Sequence, residues 1–103
     1  MKQLIGLFVA GSLVCATGSA FAADIAAGKT KSTNCVGCHG VNGIAANPVY
    51  PNLAGQNIDY MVKQLKAFKD GSRTDPLMTT MVTVLSEKDM LNLAAYFNSM
   101  KGK

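Results

Sequence analysis

Apolar and polar positions along the chain are spaced for helices. In "NIDYMVKQLKAFKDG", Ile58, Met61, Val62, Leu65 and Phe68 recur at intervals of three and four. That spacing predicts a helix with one apolar stripe, ended by Gly71. Asp59 with Lys63, and Lys66 with Asp70, are i,i+4 pairs on a solvated outer face. A second stripe, Met90, Leu91, Leu93, Ala94, Tyr96, Phe97 and Met100, predicts a final helix. Ser86 with Asp89 three residues on resembles a capping box and marks its start. A shorter helix is predicted from Asp24 to about Thr33, with Asp24 at its start and a small apolar face at Ile25, Ala26, Ala27 and Gly28. "LMTTMVTV" predicts one short helical turn or two, and "GSRTDP" before it is turn-rich. Between the first two helices, Cys35 to Gln56 reads as a long loop, punctuated by Gly37, Gly40, Gly43, Pro48, Pro51 and Gly55. A compact domain holds so long an irregular segment only around an organiser. No stretch alternates like a strand, so the expected class is all-α.

The first 22 residues follow another pattern. "MKQLIGLFVAGSLVCATGSAFA" has a charge at Lys2, an apolar run from Leu4 to about Cys15, and a small-residue end, Ala20-Phe21-Ala22. This is the layout of an export signal, cleaved after residue 22. The run is nearly long enough for a membrane anchor, but Ser12, Thr17, Gly18 and Ser19 thin it out, which disfavours that reading. Leu13-Val14 before Cys15 does not suit a lipoprotein site. The expected organisation is a cleaved leader at 1–22 and one domain at 23–103, exported to an oxidising compartment, the periplasm.

Composition narrows the picture. The 103 residues carry a formal net charge of +4, one unit less without Lys2. That is too weak for nucleic acid, and no Lys/Arg run with interleaved aromatics is present. A domain of about 80 residues gains from a staple or a cofactor that fills its core. Cys35 and Cys38 are the cysteines left after the leader.

"NCVGCHG", Asn34 to Gly40, carries the candidate chemistry. C-x-x-C-H is the attachment signature of c-type haem. Two thiols at this spacing can form thioethers to the two vinyl groups of a haem edge, and the adjacent His39 becomes the proximal iron ligand. Gly37 is expected to keep the bend open, and Gly40 and Gly43 to let the chain turn away. Three other readings are weaker. A redox dithiol belongs in a βαβ setting that is missing here. Zinc needs four ligands. A plain disulfide leaves His39 unexplained. The opposite face of the iron needs a second ligand or an open position. Met61, Met90 and Met100 lie on helix stripes and read as core filler. Met78 and Met81 lie in the connection between the main helices, and the residue pattern alone does not separate them.

The chain resembles a small bacterial class I cytochrome c, most of all one half of the tandem two-haem periplasmic cytochromes c. "CVGCHG", "YPNLAGQ", "YMVKQLKAFKDGSR" and "LSEKDMLNLAAYF" carry the resemblance, in order, over nearly all of 23–103. It implies the cytochrome c fold: three main helices plus one or two short ones wrapped around one covalent haem c. It places the axial methionine seven residues before the leucine of "LS". Here that is Met78, with Met81 the runner-up. It matches Pro51 to the proline whose carbonyl bonds the other nitrogen of the haem histidine, fixing the ring. Gly28 looks like the small residue that lets the last helix cross near Tyr96. Leu53, Leu65 and Tyr60 are candidate pocket lining, and Arg73 a candidate partner of a haem propionate. The departure from the tandem relatives is one domain and one haem.

The function this implies is electron transfer, not catalysis. With His39 and Met78 on iron, one electron would pass between redox partners of a respiratory chain, across the haem edge beside the cysteines. The expected partners are periplasmic or membrane redox proteins. Donors would be a quinol-oxidising complex or a dehydrogenase, acceptors an oxidase or a reductase. The alternatives are a five-coordinate haem protein that binds a small ligand, and a fixed haem subunit of a larger oxidoreductase.

Overall fold

A computed structural model describes residues 22–101. The expected leader lies outside the described residues but for Ala22. Five α-helices follow in order: α1 (Ile25–Lys31), α2 (Val36–His39), α3 (Ile58–Asp70), α4 (Met78–Met81) and α5 (Glu87–Asn98). No strand occurs among the described residues, and no helix there is long and apolar enough to cross a membrane. Three main helices and two short ones match the expected all-α class.

α1 starts where Asp24 caps it, its carboxylate accepting the Ala27 N–H at 3.0 Å. It ends two residues before the expected Thr33, because Ser32–Asn34 tightens into a 3₁₀ turn. The hydroxyls of Ser32 and Thr33 donate back to the carbonyls of Lys29 (2.7 Å) and Thr30 (2.9 Å), which competes with helical propagation.

α3 has the expected bounds. Asn57 caps its start through the Tyr60 N–H at 2.8 Å, and Gly71 ends it in the left-handed conformation at φ 87°. Its i,i+4 charges do not pair. Lys66 reaches across to Glu87 of α5 at 3.1 Å, while Asp70 accepts the backbone N–H and hydroxyl of Ser72. Exposed pairs are worth little, so competing local partners decide their geometry.

α4 and the 3₁₀ turn Val82–Val84 give two turns in "MTTMVTV". α5 opens with the expected reciprocal cap. The Asp89 N–H donates to Ser86 Oγ at 3.0 Å, and the Ser86 N–H to the Asp89 carboxylate at 2.9 Å.

α5 is the central element and packs against both α1 and α3. The core it builds is small: Met61, Phe68, Val82, Leu85, Met90, Leu93, Ala94 and Phe97. Cys35, Leu53, Ile58, Leu65 and Met78 lean on it half-buried. The α1–α5 crossing depends on Gly28. A Cβ there would lie 2.0 Å from the Asn92 carbonyl oxygen and 2.9 Å from Tyr96 Cβ. Asn92 is buried at this crossing, and its side-chain oxygen accepts the Asp24 N–H at 2.8 Å. Asn92 is not among the residues the apolar stripe predicts for this crossing. The signal was a polar residue enclosed in the run Leu91–Ala95.

Candidate functional site

The segment expected to be loop from Cys35 onward begins with a helical turn. The His39 N–H donates to the Cys35 carbonyl at 2.9 Å, and Gly40 N–H to Val36 at 2.9 Å. Gly37 therefore keeps no bend open. It sits within α2, and a Cβ there would meet no protein atom within 4 Å. Gly40 is the residue that turns the chain, at φ 92°, where a Cβ would press to 2.1 Å from the Ile44 carbonyl oxygen.

The α2 turn brings Cys35, Cys38 and His39 together. Both thiols are free and half-buried. Burial, then the neighbouring Cys38 charge, pushes the Cys35 thiol above its ordinary value. A thiol so held is a poor thiolate, the opposite of what a reactive redox pair requires. His39 is buried, and its Nδ1 lies 2.8 Å from the Pro51 carbonyl oxygen. A carbonyl can only accept, so Nδ1 carries a proton, and in the neutral ring Nε2 is the nitrogen left to bind a metal. The Tyr50 ring stands edge-on to the imidazole with centroids 6.4 Å apart, a neighbour that no motif in the sequence marks.

The long loop that carries Pro51 is organised by its own hydrogen bonds. The Gly43 carbonyl accepts the N–H groups of Leu53 (2.8 Å) and Ala54 (3.0 Å), and Asn52 Oδ1 accepts the Ala45 N–H at 2.8 Å. Gly55 N–H donates to the Phe97 carbonyl at 3.0 Å, which ties the loop to the end of α5.

The two candidate methionines differ in their surroundings. Met78 is half-buried and packs against the core, whereas Met81, on the same short helix, is 38% exposed. Met61 and Met90 are buried core, and Met100 packs against it, as their stripes predicted. Of the candidate lining, Leu53 and Leu65 lean on the core, while Tyr60 is exposed. Arg73 lies with its guanidinium 4.4 Å over the Phe68 ring and donates to Gln64 Oε1 at 2.6 Å. Asp75 accepts the N–H groups of Leu77 and Met78, both at 2.9 Å. Those bonds, Met78's first, hold its carboxyl below the usual range.

The donor set fits a c-type haem: two free thiols on one turn, an imidazole with one nitrogen available, and a half-buried thioether on a separate element.

Residues 25–101 match the Cytochrome c family, and the chain belongs to it. It is 45% identical over 101 residues to cytochrome c4 of Pseudomonas aeruginosa, covering 97% of this chain and 49% of that one. It is 43% identical over 83 residues to cytochrome c-554(548) of Halomonas halodenitrificans, covering 78% of this chain and all of that one. The crystal structure of reduced recombinant cytochrome c4 from Pseudomonas stutzeri superposes with a TM-score of 0.75 at 42% identity, over 80% of this chain and 48% of that one. The chain thus spans about half the length of the cytochrome c4 proteins it matches and the whole of the Halomonas protein.

Proposed function

We propose that the chain is a one-electron carrier with a single haem c, held by thioethers to Cys35 and Cys38 and ligated axially by His39 and Met78. The observation that carries this reading is the hydrogen bond from His39 Nδ1 to the Pro51 carbonyl at 2.8 Å. It leaves Nε2 as the nitrogen free to bind a metal, one residue from a free thiol. The haem supplies a Fe(II)/Fe(III) couple when bound.

The chain's own residues do the rest. Cys35 and Cys38 make the attachment irreversible. Pro51 fixes the imidazole orientation and raises its basicity. Met78, as a soft thioether donor, favours Fe(II), and the apolar surroundings disfavour the added charge of Fe(III). With His39 and Met78 both holding the iron, no position would be left for substrate, which favours electron transfer over catalysis.

The compartment of this reading is the periplasm, reached through the leader at 1–22. The partners are other redox proteins, a dehydrogenase or quinol-oxidising complex as donor and an oxidase or reductase as acceptor, met through small transient interfaces.

The direct test is attachment. Wild-type protein from a host able to mature c-type cytochromes should keep its haem colour through denaturing electrophoresis. Cys35→Ser with Cys38→Ser should lose it and leave a largely unfolded chain by circular dichroism, because the protein core is small. A cooperatively folded, helical, haem-free double variant would contradict the reading.

A further inference from the structure

α4 has no buried residue, and a single helical turn is not stable by itself. Met78 leans on the core only half-buried, so packing alone does not hold the turn. Downstream, the chain is anchored by Val82 and Leu85, both buried, and Lys69 Nζ donates to the Leu85 carbonyl. Upstream, where Met78 sits, the anchor is Asp75.

The Asp75 carboxylate accepts the N–H groups of Leu77 and Met78, each at 2.9 Å. Its carbonyl accepts the Thr79 N–H at 2.9 Å, and its own N–H donates to Thr79 Oγ1 at 2.9 Å. Pro76 stands between, at a position where the missing N–H costs nothing. Asp75 thus fills the role of an N-cap whose acceptor bonds end on the backbone of Met78 itself.

We propose that Asp75 is the positioning residue for Met78. By accepting the Leu77 and Met78 N–H groups, it holds the turn from which the thioether projects and keeps that sulfur from yielding its place to a competing ligand. The inference rests on the proposed axial role of Met78. Removing the acceptor raises the population of the methionine-off state, and an exogenous ligand then binds more tightly by the same factor.

The experiment is a titration of ferric holoprotein with imidazole, followed by loss of the weak far-red methionine-to-iron band, with thermal unfolding measured in parallel. Wild type, Asp75→Ala, Asp75→Asn and Met78→Ala are compared. Asp75→Ala should bind imidazole roughly fivefold tighter than wild type. Asp75→Asn keeps a carbonyl acceptor and should stay within about twofold. Unchanged imidazole affinity in Asp75→Ala, even with a lower unfolding temperature, would make Asp75 merely structural and overturn the proposal. Equal tightening in Asp75→Asn would assign the effect to charge and overturn it as well. If Met78→Ala keeps the far-red band, the axial assignment itself is wrong and the proposal falls with it.

Discussion

The buried imidazole of His39 and the exposed Pro51, twelve residues apart in sequence, are joined by a 2.8 Å hydrogen bond from ring nitrogen to carbonyl. The bond is held from the loop side by Gly43, whose carbonyl gathers Leu53 and Ala54. Gly43 has φ 79°, and a Cβ on it would lie 2.8 Å from Ala54. Gly43→Ala should therefore displace the Pro51 segment and destabilise the holoprotein by about 1–3 kcal/mol. A weakened bond makes His39 a less basic ligand, so the reduction potential should rise. Optical redox titration checks the sign, and a potential equal to wild type would detach Pro51 from the electronic role given to it.

Met78 and Met81 share one helix but not one environment. Met78→Ala should lower the reduction potential and let the ferrous protein bind carbon monoxide. Met81, exposed, should tolerate alanine with a change within roughly 1 kcal/mol and an unaltered spectrum. The reverse pattern would move the ligand to Met81.

Gly28 meets the Asn92 backbone with no room for a Cβ. Backbone cannot swing aside as a side-chain end can. Gly28→Ala should cost about 3 kcal/mol and lower the unfolding temperature of the holoprotein by roughly 10–20 °C. Asn92→Leu should cost about 1–3 kcal/mol by stranding the Asp24 N–H. An unchanged unfolding temperature in both would mean that the α1–α5 crossing is looser than described.

The α5 cap links stability to acid. The Ser86 N–H holds the Asp89 carboxyl below its ordinary value, helped by the Ser86 hydroxyl and by Lys31, whose Nζ is 3.5 Å away. A depressed folded-state pKa stabilises above the unfolded value of about 3.9 and is lost as pH falls through the folded value. Asp89→Asn should thus flatten the loss of stability between about pH 5 and 2, and high salt should remove only the Lys31 share. Denaturant melts across that range test this, and a variant as acid-sensitive as wild type would contradict it.

Much of this was legible in the sequence because it depends on local periodicity or local chemistry. The α3 stripe, Gly71, the Ser86–Asp89 box and the C-x-x-C-H motif are each set by local spacing or by residues that lie close in sequence. The misses have causes of the same kind. Lys66 left Asp70 for Glu87 because α5 packs alongside α3, a tertiary fact. The Cys35–His39 turn is hidden because Gly37 looks like a breaker in sequence, although it sits inside α2 and the positive φ begins at Gly40. Asn92 shows itself only once α1 lies across α5. Asp75 is legible as an Asp-Pro pair before a short helical turn, but the turn-rich composition of "GSRTDP" masks it as the cap of the turn that carries Met78.

The central claim is a six-coordinate haem that exchanges one electron and whose ferrous iron stays closed to carbon monoxide. Reductive and oxidative titration of the purified holoprotein, followed optically and repeated under carbon monoxide, tests it most directly. The expected result is one reversible one-electron transition, a low-spin ferric spectrum with the far-red methionine band, and a ferrous spectrum that carbon monoxide leaves unchanged. A high-spin spectrum that shifts when carbon monoxide is added to the ferrous protein would contradict it.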